Sequence, residues 1–113
     1  MAKFLLLLNE TPAQNPEWSP EEMQAVIARY RAWRESLGAR ILDGQKLCDE
    51  GGRLVRPDGG AVRVLDGPYT EAKEVLGGFF ALEADSYEEA VEVAKTCPHL
   101  ANGWITVRQI DEV

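Results

Sequence analysis

The chain has 113 residues, the size of one domain. Apolar residues make up 45% and charged residues 27%, near the globular average, which excludes disordered and fibrous classes. Twelve Lys and Arg against nineteen Asp and Glu leave a net charge of −7, which repels phosphate backbones and argues against a nucleic-acid partner.

Phe4-Leu5-Leu6-Leu7-Leu8 is apolar at every position and predicts a strand over 3–8 with both faces sheltered. The run is too short for a signal peptide or a membrane span, so the expected location is the cytoplasm, with no membrane partner. A Pro-containing loop over 9–19 leads to Ser19-Pro20-Glu21-Glu22, a capping box with proline at the first helical position. The helix that follows carries Met23, Val26, Ile27, Tyr30 and Leu37 on one stripe, with Trp33 at its margin, and Gly38 caps it.

Ile41–Cys48 reads as a strand with a bulge or bend at Gly44. Arg53–Arg56 and Ala61–Leu65 flank a Gly-rich turn and read as a hairpin. Asp66-Gly67-Pro68-Tyr69 is a further turn, followed by a polar stretch over 70–76 that fits one helical turn. Gly77-Gly78 opens a strand to Ala84, and Ser86 with Glu89 caps a second helix with the stripe Tyr87, Ala90, Val91 and Ala94. Pro98 ends that helix near Cys97, and Trp104–Ile110 is the last strand.

The order predicts a single domain over 1–113 of the α+β class. It is a ferredoxin-like βαββαβ sandwich with an added hairpin, an antiparallel sheet and both helices on one face. Leu5 and Leu7 point opposite to Phe4, Leu6 and Leu8, Phe80 and Leu82 opposite to Phe79 and Ala81, and Trp104 and Ile110 opposite to Ile105 and Val107, so both faces are apolar in three strands and the helices cover only one. The other apolar face needs a cover, either a second copy related by a twofold axis or the loops over 9–19 or 49–60. A sheet-to-sheet homodimer is the expectation.

Chemistry-bearing residues are few. His99 is the one histidine and the best single candidate for proton transfer; it also suits a helix C-terminus electrostatically. Asp66, Tyr69, Thr70, Glu71, Lys73 and Glu74 form the densest polar cluster, able to act as acid, base or positioned ion pair, or to serve as a solvated connection. Glu83 sits inside an apolar strand, either at a sheet edge or buried and paired. One His and two distant cysteines, Cys48 and Cys97, offer no metal spacing, and no Gly-rich phosphate loop is present, so neither metal nor cofactor is expected. The cysteines read as free thiols. Arg29, Arg31, Arg34 and Arg40 read as a solvated face.

Asp66-Gly67-Pro68-Tyr69-Thr70-Glu71-Ala72-Lys73-Glu74, Leu76-Gly77-Gly78-Phe79, Glu83-Ala84, Cys97-Pro98-His99-Leu100 and Val107-Arg108-Gln109-Ile110 resemble the DGPF-type branch of the YCII-related proteins, of the dimeric α/β barrel superfamily. Lys3–Leu8 and Tyr30-Arg31-Ala32-Trp33 fit the same pattern. The resemblance implies a fold that dimerises through its sheet face. In YciI-type members a His–Asp pair lines a pocket, with the His in the first-helix region. Here that region holds Tyr30 and no His, so the carry-over is Asp66 with His99 as partner, and Tyr69 stands where Phe is usual. The branch also implies a regulatory link to alternative sigma factors. Two functions follow as expectations. One is a small-molecule-binding or regulatory dimer using Tyr69, Glu71, Lys73 and Glu74. The other is a small enzyme using Asp66 and His99 for acid–base chemistry, and whether the protein is an enzyme stays open between them.

Overall fold

A computed structural model describes residues 1–12, 16–67 and 74–112. Its elements are β1 (Ala2–Glu10), α1 (Pro20–Leu37), β2 (Ile41–Lys46), β3 (Arg53–Asp58), β4 (Ala61–Asp66), β5 (Val75–Ala84), α2 (Tyr87–Ala94) and β6 (Gly103–Gln109), with short 3₁₀ turns at Gly38–Arg40 and Pro98–Ala101. β2, β5, β1 and β6 form one antiparallel sheet in that order, and β3 pairs with β4 in a separate ribbon. With the ribbon set aside, this is the ferredoxin-like order expected from the sequence, both helices lying on one side.

Local chemistry explains the boundaries. Ser19 Oγ accepts from the Glu22 amide and Glu22 Oε1 from the Ser19 amide, both at 3.2 Å, so the first-turn donors of α1 are satisfied before Pro20 starts it. Ser86 Oγ accepts from the Glu89 amide at 3.2 Å and starts α2 in the same way. Gly59 and Gly60, at φ 54° and 88°, supply the two positive-φ positions that a two-residue hairpin turn requires.

The core lies between the sheet and the helices. Phe4, Leu6 and Leu8 of β1, Phe80, Leu82 and Ala84 of β5, and Ala90, Val93, Ala94 and Cys97 are buried, with Trp33 of α1 against them. Phe80 is the hinge of the α1 contact: the Trp33 ring meets it edge-on at 5.0 Å, and the Tyr30 ring lies over it at 6.5 Å. Trp33 Nε1 donates to Thr96 Oγ1 at 2.8 Å, fastening α1 to the end of α2.

Several expectations shift in detail. Trp33, placed at the margin of the α1 stripe, is 8% exposed, whereas Met23 and Ile27 are 41% and 48% exposed. α1 docks on the core by its C-terminal half; in its N-terminal half only Val26 is buried, outside the core cluster, and a cleft opens between that half and the sheet. In α2 the buried stripe runs through Val93 rather than Val91, and Tyr87 reaches out so that its hydroxyl accepts from the Gln109 amide at 2.8 Å. The β2 irregularity falls between Ile41 and Asp43, just before Gly44. Glu83 is neither at a sheet edge nor buried; it is half-buried on central strand β5, across from Lys3 on the helix-free face. The turn at Pro68–Tyr69 and residues 70–73 of the proposed helical turn fall outside the described residues; β5 has begun by Val75.

Alternation places Leu5, Leu7, Phe79 and Ala81 on the helix-free face, all half-buried, with Trp104 38% exposed beside them. No described helix is long and apolar enough to cross a membrane. Truncation of the Phe80 ring tests the hinge. Phe80→Ala is expected to lower unfolding free energy by about 3–5 kcal/mol, measured by urea denaturation, because it frees both α1 aromatics at once.

Candidate functional site

The gap under the raised half of α1 is a cleft of about 420 Å³. Much of its floor is bare backbone, with Gly44 on β2 and Gly77 and Gly78 on β5 lining it beside Leu8 of β1. Each glycine is there for space. A Cβ on Gly44 would lie 2.4 Å from the Phe80 ring, one on Gly77 2.1 Å from the Glu10 carboxylate, and one on Gly78 2.7 Å from the Gln45 carbonyl. Met23, Val26 and Ile27 form the roof, and Tyr30 and Phe80 the back wall. Glu10, Arg29, Arg34, Lys46 and Asp49 supply charge around it. Lys46 and Asp49 pair at 2.9 Å, and the Arg34 guanidinium sits 6.0 Å over the Phe80 ring.

At the inner end stands His99. Its Nε2 lies 2.6 Å from the Asn9 carbonyl. A carbonyl only accepts, so Nε2 carries a proton, and in the neutral imidazole Nδ1 keeps the lone pair. That lone pair faces the Tyr30 hydroxyl at 3.4 Å, a long contact that leaves room for competition by another donor. Gly103 makes the arrangement possible. A Cβ there would fall 2.3 Å from the Asn9 carbonyl and 2.5 Å from His99 Nε2, between the two bonded atoms. Burial, then the neighbouring Cys97 thiol and Glu10 carboxylate, push the Tyr30 phenol up to about 12, with Arg29 pulling the other way. Tyr30 is therefore a neutral donor throughout the physiological range. Burial also raises the Cys97 thiol, while Cys48 is exposed; both are free.

The residues expected from sequence are dispersed. His99 lines the cleft, and Asp66 does not. Asp66 ends β4 on the projecting ribbon, its side chain 91% exposed and 3.3 Å from Arg53. The Asp66–His99 couple is thus not formed within one protomer, because the ribbon leads Asp66 away from the sheet on which His99 rests. Glu74 is exposed beside the start of β5 and does not line the cleft. Tyr69, Glu71 and Lys73 lie outside the described residues. Of the arginines read as a solvated face, Arg29 and Arg34 line the cleft and Arg40 pairs with Glu89 at 2.7 Å. Tyr30 and Glu10 are site residues that the sequence did not reveal. Tyr30 sat on the core stripe, and it lies 69 positions from its partner. The usable signals were the paired glycines at 77–78 and Gly103 close behind the histidine. Among the described residues no group of three or more His, Cys, Asp or Glu could hold a metal.

A family model described as the YCII-related domain matches residues 2–113. The chain belongs to the YCII-related family. Among solved structures, it is similar to 5-chloro-2-hydroxyhydroquinone dehydrochlorinase from Burkholderia phenoliruptrix AC1100, in complex with 2,5-dihydroxybenzoquinone. The TM-score is 0.51 at 20% identity, over 98% of this chain and 95% of that one. That likeness is one of fold. No curated protein matches.

The Tyr30 environment has a measurable sign. A phenol that ionises near 10 when unfolded and near 12 when folded makes the native state bind the extra proton between those values. Its contribution is fully present below pH ~10 and is lost as pH rises toward ~12. Absorbance at 295 nm is expected to show one tyrosine ionising last, and Tyr30→Phe to remove that phase and flatten the alkaline loss of stability.

Proposed function

We propose that this YCII-related protein binds a small planar organic molecule in the cleft beneath α1, acting as a binding or regulatory homodimer in the cytoplasm. One observation carries the ligand reading. A glycine-floored cleft ends in a Tyr30–His99 pair whose donor and acceptor are fixed by the Asn9 carbonyl. Bare backbone below and aromatic rings behind favour a flat molecule. A neutral phenol donor, an imidazole lone pair and the Arg29 and Arg34 guanidinium groups favour one bearing ring oxygens. The similar dehydrochlorinase, whose structure holds 2,5-dihydroxybenzoquinone, makes that compound a sensible probe. The homodimer is supported by the apolar helix-free face through Leu5, Leu7, Phe79 and Trp104, and the location by the free exposed Cys48 thiol. Within the family, the Asp66-Gly67-Pro68-Tyr69 turn supports the DGPF-type branch.

Titration calorimetry with 2,5-dihydroxybenzoquinone and related hydroxylated aromatics tests the reading. Tyr30→Phe and His99→Gln are each expected to weaken binding about tenfold, the loss of one hydrogen bond, and Asp66→Asn to leave it unchanged. Equal affinities across all three variants would refute the site.

The fixed Nδ1 lone pair also favours a second reading, a small enzyme in which His99 takes a proton from the bound molecule and Tyr30 donates one. Asp66 would join only from outside this protomer's cleft. Under this reading His99→Gln removes turnover of a hydroxylated aromatic while affinity falls only as above, and Asp66→Asn slows turnover only if that carboxylate arrives from a partner.

A further inference from the structure

The β3–β4 ribbon stands apart from the rest of the fold. The radius of gyration is 16.2 Å, against about 13 Å for a compact chain of ~100 residues, and the molecule measures 47 × 44 × 18 Å. Among the described residues, no other helix or strand packs broadly against the ribbon. A two-stranded ribbon left alone in water is marginal, so one with regular pairing from Arg53↔Asp66 to Asp58↔Ala61 needs a surface to lie on.

Its two faces show what kind of surface. Residues directly across from each other share a face, which puts Val55 with Val64 and Pro57 with Val62 on one side. Val55, Val62 and Val64 are 65%, 68% and 62% exposed, an uninterrupted apolar strip with the Arg53–Asp66 ion pair at its root. The other side sets Arg56 directly against Arg63, like charges that repel unless carboxylates lie nearby. Residues 53–66 hold three Arg and two Asp, a net +1 within a chain of −7, so the remainder of the chain carries −8. The arm is basic and apolar, and the body is acidic with an apolar face of its own.

We propose that the β3–β4 ribbon is an arm that clasps a second copy of this chain, its Val55-Val62-Val64 strip laid on the partner's body. This rests on the homodimer reading above and goes beyond it, because that reading uses the sheet face alone. Area favours the second copy. From strand spacing and rise, the four-stranded sheet face offers roughly 400–450 Å² and one face of the arm roughly 200 Å². A stable interface needs about 800 Å² per partner. The sheet alone falls well short. Giving an arm and receiving one, as twofold symmetry requires, makes up the difference.

Sedimentation equilibrium of the full chain tests this with two arm variants and one face variant. Val55→Lys with Val64→Glu puts an opposite-charge pair across the ribbon, which keeps the ribbon paired but unfit for burial. The second variant excises residues 53–66 and joins Gly52 to Gly67 through two glycines, a short bridge because the Gly67 amide already donates to the Gly52 carbonyl at 3.0 Å. Leu7→Glu disrupts the sheet face. Both arm variants are expected to weaken dimerisation roughly 30-fold or more while far-UV circular dichroism and the monomer's melting temperature hold. A dimer as tight as wild type in both arm variants, yet broken by Leu7→Glu, overturns the arm and leaves the sheet-face dimer standing. A monomeric wild type overturns both, and a dimer whose arm binds a different protein instead overturns the arm alone.

Discussion

The contact between α1 and Phe80 decides most of what this molecule presents. Trp33 and Tyr30 both rest on that one ring, and Trp33 is fastened in turn to Thr96 at the end of α2. Beyond Phe80 the strand continues as Gly78 and Gly77, and the neighbouring strand offers Gly44. Of the sheet residues that line the space beneath Met23 and Ile27, three are glycines, and Leu8 and Phe80 supply the apolar side chains. The helix therefore docks at one end and stands off at the other, and the gap is the cleft. A core that closed evenly along α1 would leave no room for a ligand.

The polar end of the cleft depends on an equally local constraint. Asn9 sits where β1 and β5 slip register, and its two polar groups serve different sides of the sheet. The side-chain amide donates to Thr106 Oγ1 at 2.9 Å on the helix-free face, and the carbonyl accepts a hydrogen bond from His99 Nε2. Gly103, paired with Glu10 on the adjacent strand, keeps the space between carbonyl and imidazole open. His99 is thereby held in one tautomer by backbone alone, with Tyr30 as the only side chain bonded to its free nitrogen among the described residues. Among the described residues no carboxylate bonds the imidazole, which separates the arrangement from the His–Asp pairing that family resemblance led one to expect.

The ribbon and the sheet face pose the same problem of uncovered apolar surface at different scales. On the sheet it follows from strands with apolar residues at every position; on the ribbon it follows from three valines and a proline sharing one side. One protomer shelters neither. In the proposed dimer the basic arm of one protomer meets the acidic body of the other, so that both apolar surfaces are covered by the same twofold pairing.

Much of the fold was legible along the chain because its signals are local. The capping box at Ser19, the N-cap at Ser86, the unbroken apolar run at 4–8 and the Gly59-Gly60 turn each act within a few residues, and the elements fall where they require. The two-sided apolar strands likewise announced a second face in need of cover. The site was not legible in that way. Tyr30 on a helical stripe reads as core, and only the glycines of two other strands turn its surroundings into a cavity. Asp66 was expected as the partner of His99 from the family resemblance, yet it lies exposed at the end of β4. Sequence fixes what each segment prefers by itself. Which side chains meet across 69 or 90 positions is set by packing, and here the packing is decided by where side chains are missing.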